Sequence, residues 1–123
     1  MTEDAVARAR ALVGVRFRAQ GRDPALGLDC VGVALAVAGV SRRGDYPRRL
    51  GDIAGAVAAL DAAGLERVAT GHAGDVMLID AGARQLHLAV LVPGGHVHAC
   101  ARAGRVVEVP GPPAGQIIGC WRI

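Results

Sequence analysis

The residue with the greatest chemical potential is Cys30, which follows Asp29 at the head of the run CVGVALAVA. Asp is a strong helix N-cap, so the pattern predicts a helix from Cys30 to about Ala38, ended by Gly39. Free N–H groups and the dipole at a helix start favour negative charge, so a thiol there is expected to shift toward the nucleophilic thiolate. The plainer reading is that Cys30 is one more small apolar residue beside Val31, Val33 and Ala34. Two histidines, His87 and His98, each interrupt an apolar run. If Pro93–Gly94 is a two-residue turn, Val92 faces Gly95, and the ladder sets His87 opposite Cys100 and His98 opposite Ala89. Side chains alternate along a strand, so the two imidazoles then share a face as diagonal neighbours. A three-residue loop would put them on opposite faces. His96 falls on the same face beside the turn, His72 falls in a loop, and both read as solvated.

Cys30, His87 and His98 together supply a thiol nucleophile, an imidazole base and a second polar group to orient that base, which is the logic of a papain-like hydrolase. A metal site built from Cys30, His87, His98 and Cys100 competes with it. Zinc ligands usually come in close pairs such as CxxC or HxxxH, and the one close pair here, His98 and Cys100, lies on a single strand.

The elements that must position these residues divide along the chain. Thr2 is placed to cap a helix through Ala5, Val6, Ala9 and Val13 that stops near Gly14, and Asp52 to cap another over residues 53–63 ended by Gly64. Between them, 14–28 reads as an irregular loop, 30–38 as the buried Cys30 helix and 41–51, with Tyr46 and Pro47, as a polar stretch. From Leu65 the pattern turns to short Val- and Ile-rich runs, with strands expected at 75–79, 86–92, 96–101, 105–109 and 117–122. The Pro-Gly-Gly at 93–95 and Ala-Gly at 103–104 join the middle three as a meander, and the Pro-rich 110–115 is a stiff connector. Helices followed by strands predict an α+β domain, one unit over 1–123, with helices packed on an antiparallel sheet of about five strands.

Composition bounds the function. The 123 residues are 52% hydrophobic and 20% charged, a mix that folds. Single Phe, Tyr and Trp residues argue against a base-stacking platform for nucleic acid. All 14 basic residues are Arg, and the net charge of +3 fits either an anionic partner such as a cell wall or a plain soluble surface. Three cysteines leave at least one unpaired thiol. No signal peptide is visible, and the near-apolar stretch 31–40 is shorter than the ~20 residues a membrane span requires, so synthesis in the cytoplasm without membrane insertion is expected.

The runs GVRFRAQGRDPALGLDCVGVALAV, GDVMLID, HLAVLV and HVHA followed by GRVVEVP resemble the NlpC-type cell-wall cysteine peptidases, a papain-like family, from about Ala11 to the C-terminus. The resemblance rests on Asp29-Cys30 opening the nucleophile helix, Gly74-Asp75 opening the first strand, His87 beginning the next and His98-Ala99 on the third. It implies Cys30 as nucleophile, His87 as general base, His98 as the group orienting it, and no cofactor or metal. Asp29 and Phe17 would lie at the substrate site, Phe17 where many members have Tyr, and Val31 stands where many have Ser. Asp29 could bind a substrate amine or only cap the helix. The implied activity is hydrolysis of an amide in the stem peptide or cross-link of peptidoglycan through a Cys30 thioester. The chain looks most like short members of phage tails and gene transfer agents, which implies tail-tip partners and carriage to the wall in a phage-like particle. Two other readings stay open on this fold: a non-catalytic tail-assembly component, and an amidase or acyltransferase.

Overall fold

The computed structural model describes residues 2–39, 52–82 and 85–123. The expected polar stretch 41–51 lies outside them. The α+β expectation holds, with three helices preceding a six-stranded antiparallel sheet.

Helix α1, Thr2–Ala11, begins at Thr2 rather than after it and ends three residues before Gly14. Its inward residues are Ala5 and Ala9, followed by Leu12 in the next turn. Because the helix has already ended, Val13 points outward at 44% exposure instead of joining the core. Helix α2, Cys30–Ala38, is capped as expected: the Asp29 carboxylate accepts from Gly32 N–H at 2.8 Å, and Gly39 closes the helix in the left-handed region at φ 71°. Its buried residues, Val31 to Leu35 and Val37, surround the axis, as small apolar side chains all round require. Helix α3, Ile53–Ala62, is capped by Asp52 and buries only Ala56 and Leu60, one turn apart.

The segment before α2 is less irregular than its composition implies. Two-residue strands β1, Arg22–Asp23, and β2, Gly27–Leu28, pair as a small hairpin. Residues 14–17 run along the sheet edge, with Phe17 N–H donating to the Gly104 carbonyl and Arg16 bridging Arg105. Gly21 and Gly32 let this segment lie against α2, since a Cβ on Gly32 would collide with the Gly21 carbonyl oxygen.

The main sheet comprises β3 Glu66–Val68, β4 Val76–Asp80, β5 Leu86–Val92, β6 Gly95–Cys100, β7 Arg105–Pro110 and β8 Gln116–Arg122. The order is β3-β8-β4-β5-β6-β7, so the last strand returns between β3 and β4 while β5 to β7 form the expected meander. Strand β3 is the sixth strand that the sequence pattern does not announce. Glu-Arg-Val at an exposed edge carries no apolar alternation, and its place is fixed by pairing with β8, where Arg67 faces Trp121.

Both sheet faces are covered near the centre. Val76, Leu78, Leu88, Val90, Val97, Ala99, Val106 and Trp121 pack toward the helices in one cluster. Met77, Ile79, Ala89 and Cys120 form a second cluster on the other face, with Val68 and Leu91. Trp121 is fully buried, and its indole N–H donates to Asp61 of α3 at 2.9 Å, which ties α3 to β8. Among the described residues no helix is long and apolar enough to cross a membrane.

Candidate active site

The β5–β6 turn has the two-residue form: Val92 faces Gly95, Leu91 faces His96 and Val90 faces Val97. The register pairs stop there. Toward the far end, β5 pairs only with β4, and β6 only with β7. The sheet is therefore split between β5 and β6 beyond Val90, and the candidate residues gather at this split.

His87 and His98 bridge it, with His87 Nε2 and His98 Nδ1 2.8 Å apart and the rings edge to face at 5.0 Å. One nitrogen must donate and the other accept. If His87 Nε2–H donates, its Nδ1 lone pair is free to take a proton. Both histidines lie opposite in parity to Leu88, Val90, Val97 and Ala99, so they occupy the sheet face that carries Ala89 and Leu91.

Cys30 comes to the split from the helix side. The N–H and C=O of Leu91 point toward β4, bonding Asp75 and Gly74, so by alternation the N–H of Leu88 points toward the β6 side. There it favours the Cys30 thiolate, as does the N–H of Val31, against the larger effect of burial. The thiol thus stands at the residue next to His87. Among the described residues no hydrogen bond joins Cys30 to His87 directly.

The electrostatics correct the expectation of a thiolate. Burial pushes the Cys30 thiol up to about 11, with the Asp29 charge adding to the rise and the Leu88 and Val31 N–H groups and Arg22 opposing it. Desolvation outweighs the helix start. Burial also lowers His87 to about 4, helped by His98 and His96 nearby, and His98 is shifted the same way by burial and His96. Between those limits the site rests as neutral thiol and neutral imidazole.

His96 is the second correction. It is not solvated but 4% exposed, its Nδ1 is 3.0 Å from the Gly111 carbonyl and its ring lies 5.4 Å from that of His98. A carbonyl only accepts, so Nδ1 carries the proton and donates. The sequence held a signal for this, since His96 and His98 alternate onto one face. His72 is exposed, as expected.

Asp29 is heavily engaged. Oδ1 accepts from Gly32 N–H and from Arg22 at 2.7 Å, and Oδ2 accepts from Gln20 N–H at 2.9 Å. It caps α2 and anchors the preceding segment together. Phe17 is half-buried against the main core, facing away from the exposed Arg16 and Arg18 on either side. Asp75 of the Gly-Asp pair is buried and bonds Arg122 through both carboxylate oxygens at 3.0 Å, while its Oδ2 also accepts from His72 N–H. Its role is to hold the loop that enters β4. Cys100 accepts from Ala103 N–H at the β6–β7 turn and Cys120 is buried, and all three cysteines are free. Among the described residues no three His, Cys, Asp or Glu side chains are grouped so as to hold a metal ion.

Comparison of the whole fold with solved structures places it in one class. A family NlpC/P60 protein from Bacillus cereus matches with TM-score 0.68 and 19% identity over 99% of this chain. The NlpC/p60 domain of the peptidoglycan hydrolase SagA matches with TM-score 0.62 and 22% identity over 89% of both chains. The peptidoglycan hydrolase RipB from Mycobacterium tuberculosis matches with TM-score 0.62 and 28% identity over 99% of this chain. The chain spans 40% of the B. cereus protein and 64% of RipB. No protein-family model matches the sequence, and no curated protein matches it significantly. The fold is the papain-like one of NlpC/P60 domains.

Proposed function

We propose that this chain is a cysteine peptidase that cuts an amide in the stem peptide or cross-link of peptidoglycan. Cys30 is the nucleophile, His87 the base and His98 the residue that orients it. The observation that carries the reading is the 2.8 Å His87–His98 contact at a split in the sheet, on the strand whose Leu88 N–H is turned toward Cys30 at the head of α2. An NlpC/P60 fold around that arrangement, shared with hydrolases of peptidoglycan, supports the substrate class.

In this mechanism His87 Nδ1 takes the thiol proton as sulfur attacks the scissile carbonyl. The oxyanion forms at the head of α2, where the helix dipole stabilises it. His87, now imidazolium and held through Nε2–H by His98 Nδ1, gives its proton to the leaving amine. Water then cleaves the Cys30 thioester with His87 again as base, releasing the acid and restoring the thiol. Asp29 and Phe17 contribute by shaping the segment beside Cys30. Delivery on a phage-like tail tip is the part of the proposal that rests on the sequence resemblance alone.

A second reading, a tail-assembly component without turnover, is favoured by the strongly raised Cys30 thiol and by Phe17 in place of a phenol. Mass spectrometry of muropeptides incubated with wild type and Cys30→Ala separates the two. New fragments made by wild type and absent with Cys30→Ala are the expected result and name the bond. Their absence at several pH values overturns the peptidase reading.

A further inference from the structure

Nine arginines lie among the described residues, and five are tied to partners within the chain. Arg10 pairs with Glu108, Arg22 with Asp29 and Arg122 with Asp75. Arg8 donates to the Val37 carbonyl, and Arg67 donates to the Ile118 carbonyl and covers Trp121. The other four, Arg16, Arg18, Arg102 and Arg105, are exposed and have no side-chain partner among the described residues.

The fold brings these four to one place. Arg16 and Arg105 are directly opposite in an antiparallel bridge, which sets their Cβ atoms about 5 Å apart on one side. Arg18 follows two residues later, and the alternation of exposed Arg16, half-buried Phe17 and exposed Arg18 puts it on the side of Arg16. Arg102 is in the turn that leads into Arg105. Like charges directly opposed across strands repel, and Glu108, the one carboxylate on β7, is engaged by Arg10.

The register also says which way the group faces. Cys100 pairs with Arg105 and His98 with Val107, so Arg105 and Arg16 project from the face that carries His98 and His87. Arg105 is the diagonal neighbour of His98, a separation of about 7–8 Å. Two or three residues of extended peptide span that distance together with the reach of a guanidinium.

We propose that Arg16 and Arg105, flanked by Arg18 and Arg102, form an anion subsite that takes a free carboxylate of the peptide substrate two or three residues from the part of the chain that lies against His98. Guanidinium forks match carboxylates in bidentate fashion, which suits a site made only of Arg. The inference rests on the peptidase reading and adds a requirement to it: the substrate is an acidic peptide, and the acid is read by this rim.

The test measures binding of a synthetic stem peptide to Cys30→Ala by calorimetry, comparing the free-acid peptide with its carboxamide form. The acid is expected to bind about five- to tenfold more tightly at low salt, a preference that fades near 1 M salt, where the Debye length is about 3 Å. In Cys30→Ala carrying Arg16→Gln and Arg105→Gln the preference should disappear. A preference that survives the double substitution overturns the subsite, as does equal binding of the two peptides. Equal binding with Arg-dependent retention on polyphosphate reassigns the rim to a phosphate polymer. Muropeptide digestion by the enzyme with Cys30 intact separates the two failures. Digestion without carboxylate dependence sinks the subsite alone, and no digestion sinks the peptidase reading with it.

Discussion

Alkylation of Cys30 offers a direct measure of the site's resting state. A thiol with its ordinary value of 9.0 is about one-tenth thiolate at pH 8, whereas one raised to about 11 is about one-thousandth thiolate. That alone slows iodoacetamide about 100-fold, but the more basic thiolate is intrinsically about 8-fold more nucleophilic at a Brønsted slope near 0.45, which leaves a net slowing of about tenfold. The shape of the profile is more decisive than the rate at one pH. For Cys30 the logarithm of the rate should climb by about one per pH unit from 7 to 10 without a plateau. Peptide mass spectrometry can follow Cys30 separately from half-exposed Cys100 and buried Cys120. A plateau below pH 8 would refute the conclusion that desolvation outweighs the helix start.

The remaining expectations concern the fold's hold on the site. Gly32→Ala should cost about 1–3 kcal/mol in urea unfolding, because the new methyl meets the Gly21 carbonyl and Leu28 Cδ2 at 3.1 Å; an unchanged midpoint would count against that packing. His87 is lowered to about 4 from 6.5, so the unfolded chain binds more protons between those values and stability, complete above pH 6.5, is lost as pH falls toward 4. From pH 7 to 5 this amounts to about 2 kcal/mol, and His87→Gln should flatten that part of the profile; equal slopes in the two proteins would contradict it. For turnover, kcat/KM should show a broad plateau between limbs near 4 and 11, and a narrow bell centred on neutrality would instead indicate a preformed ion pair.

The parts of the candidate site that were legible depend on local rules. The Asp29 cap and the all-round burial of α2 follow from residue type and period. The His87–His98 contact depended on the turn length, which the sequence left open, and the expected pairings of His87 with Cys100 and His98 with Ala89 are absent because the β5–β6 ladder stops at Val90–Val97. What stayed hidden depends on contacts between distant segments. Strand β3 exists because β8 offers it an edge, and β1 and β2 because Gly21 and Gly32 allow close approach. The raised Cys30 thiol reflects desolvation where the start of α2 packs on the sheet, which no local pattern encodes. His96 departs from the expectation that a residue beside a turn is wet, because the Pro-rich connector brings the Gly111 carbonyl onto its ring.

The same burial sets a condition on how the site can work. Moving a proton from a thiol near 11 to an imidazole near 4 is uphill by roughly 10 kcal/mol in the unliganded site. A turnover of about one per second allows a total barrier of about 17 kcal/mol, so a complete transfer before attack would use more than half of it. Proton transfer coupled to C–S bond formation avoids that intermediate, since negative charge passes to the carbonyl oxygen as it leaves sulfur. The head of α2 is suited to receive it there, because the Asp29 cap fixes the helix start and its dipole favours negative charge. Meanwhile His98 needs only to accept from His87 Nε2–H, which a neutral imidazole does as well as a carboxylamide would. The resting neutrality that weakens Cys30 as a free thiol is therefore compatible with catalysis, provided the acyl carbonyl is in place before the proton moves.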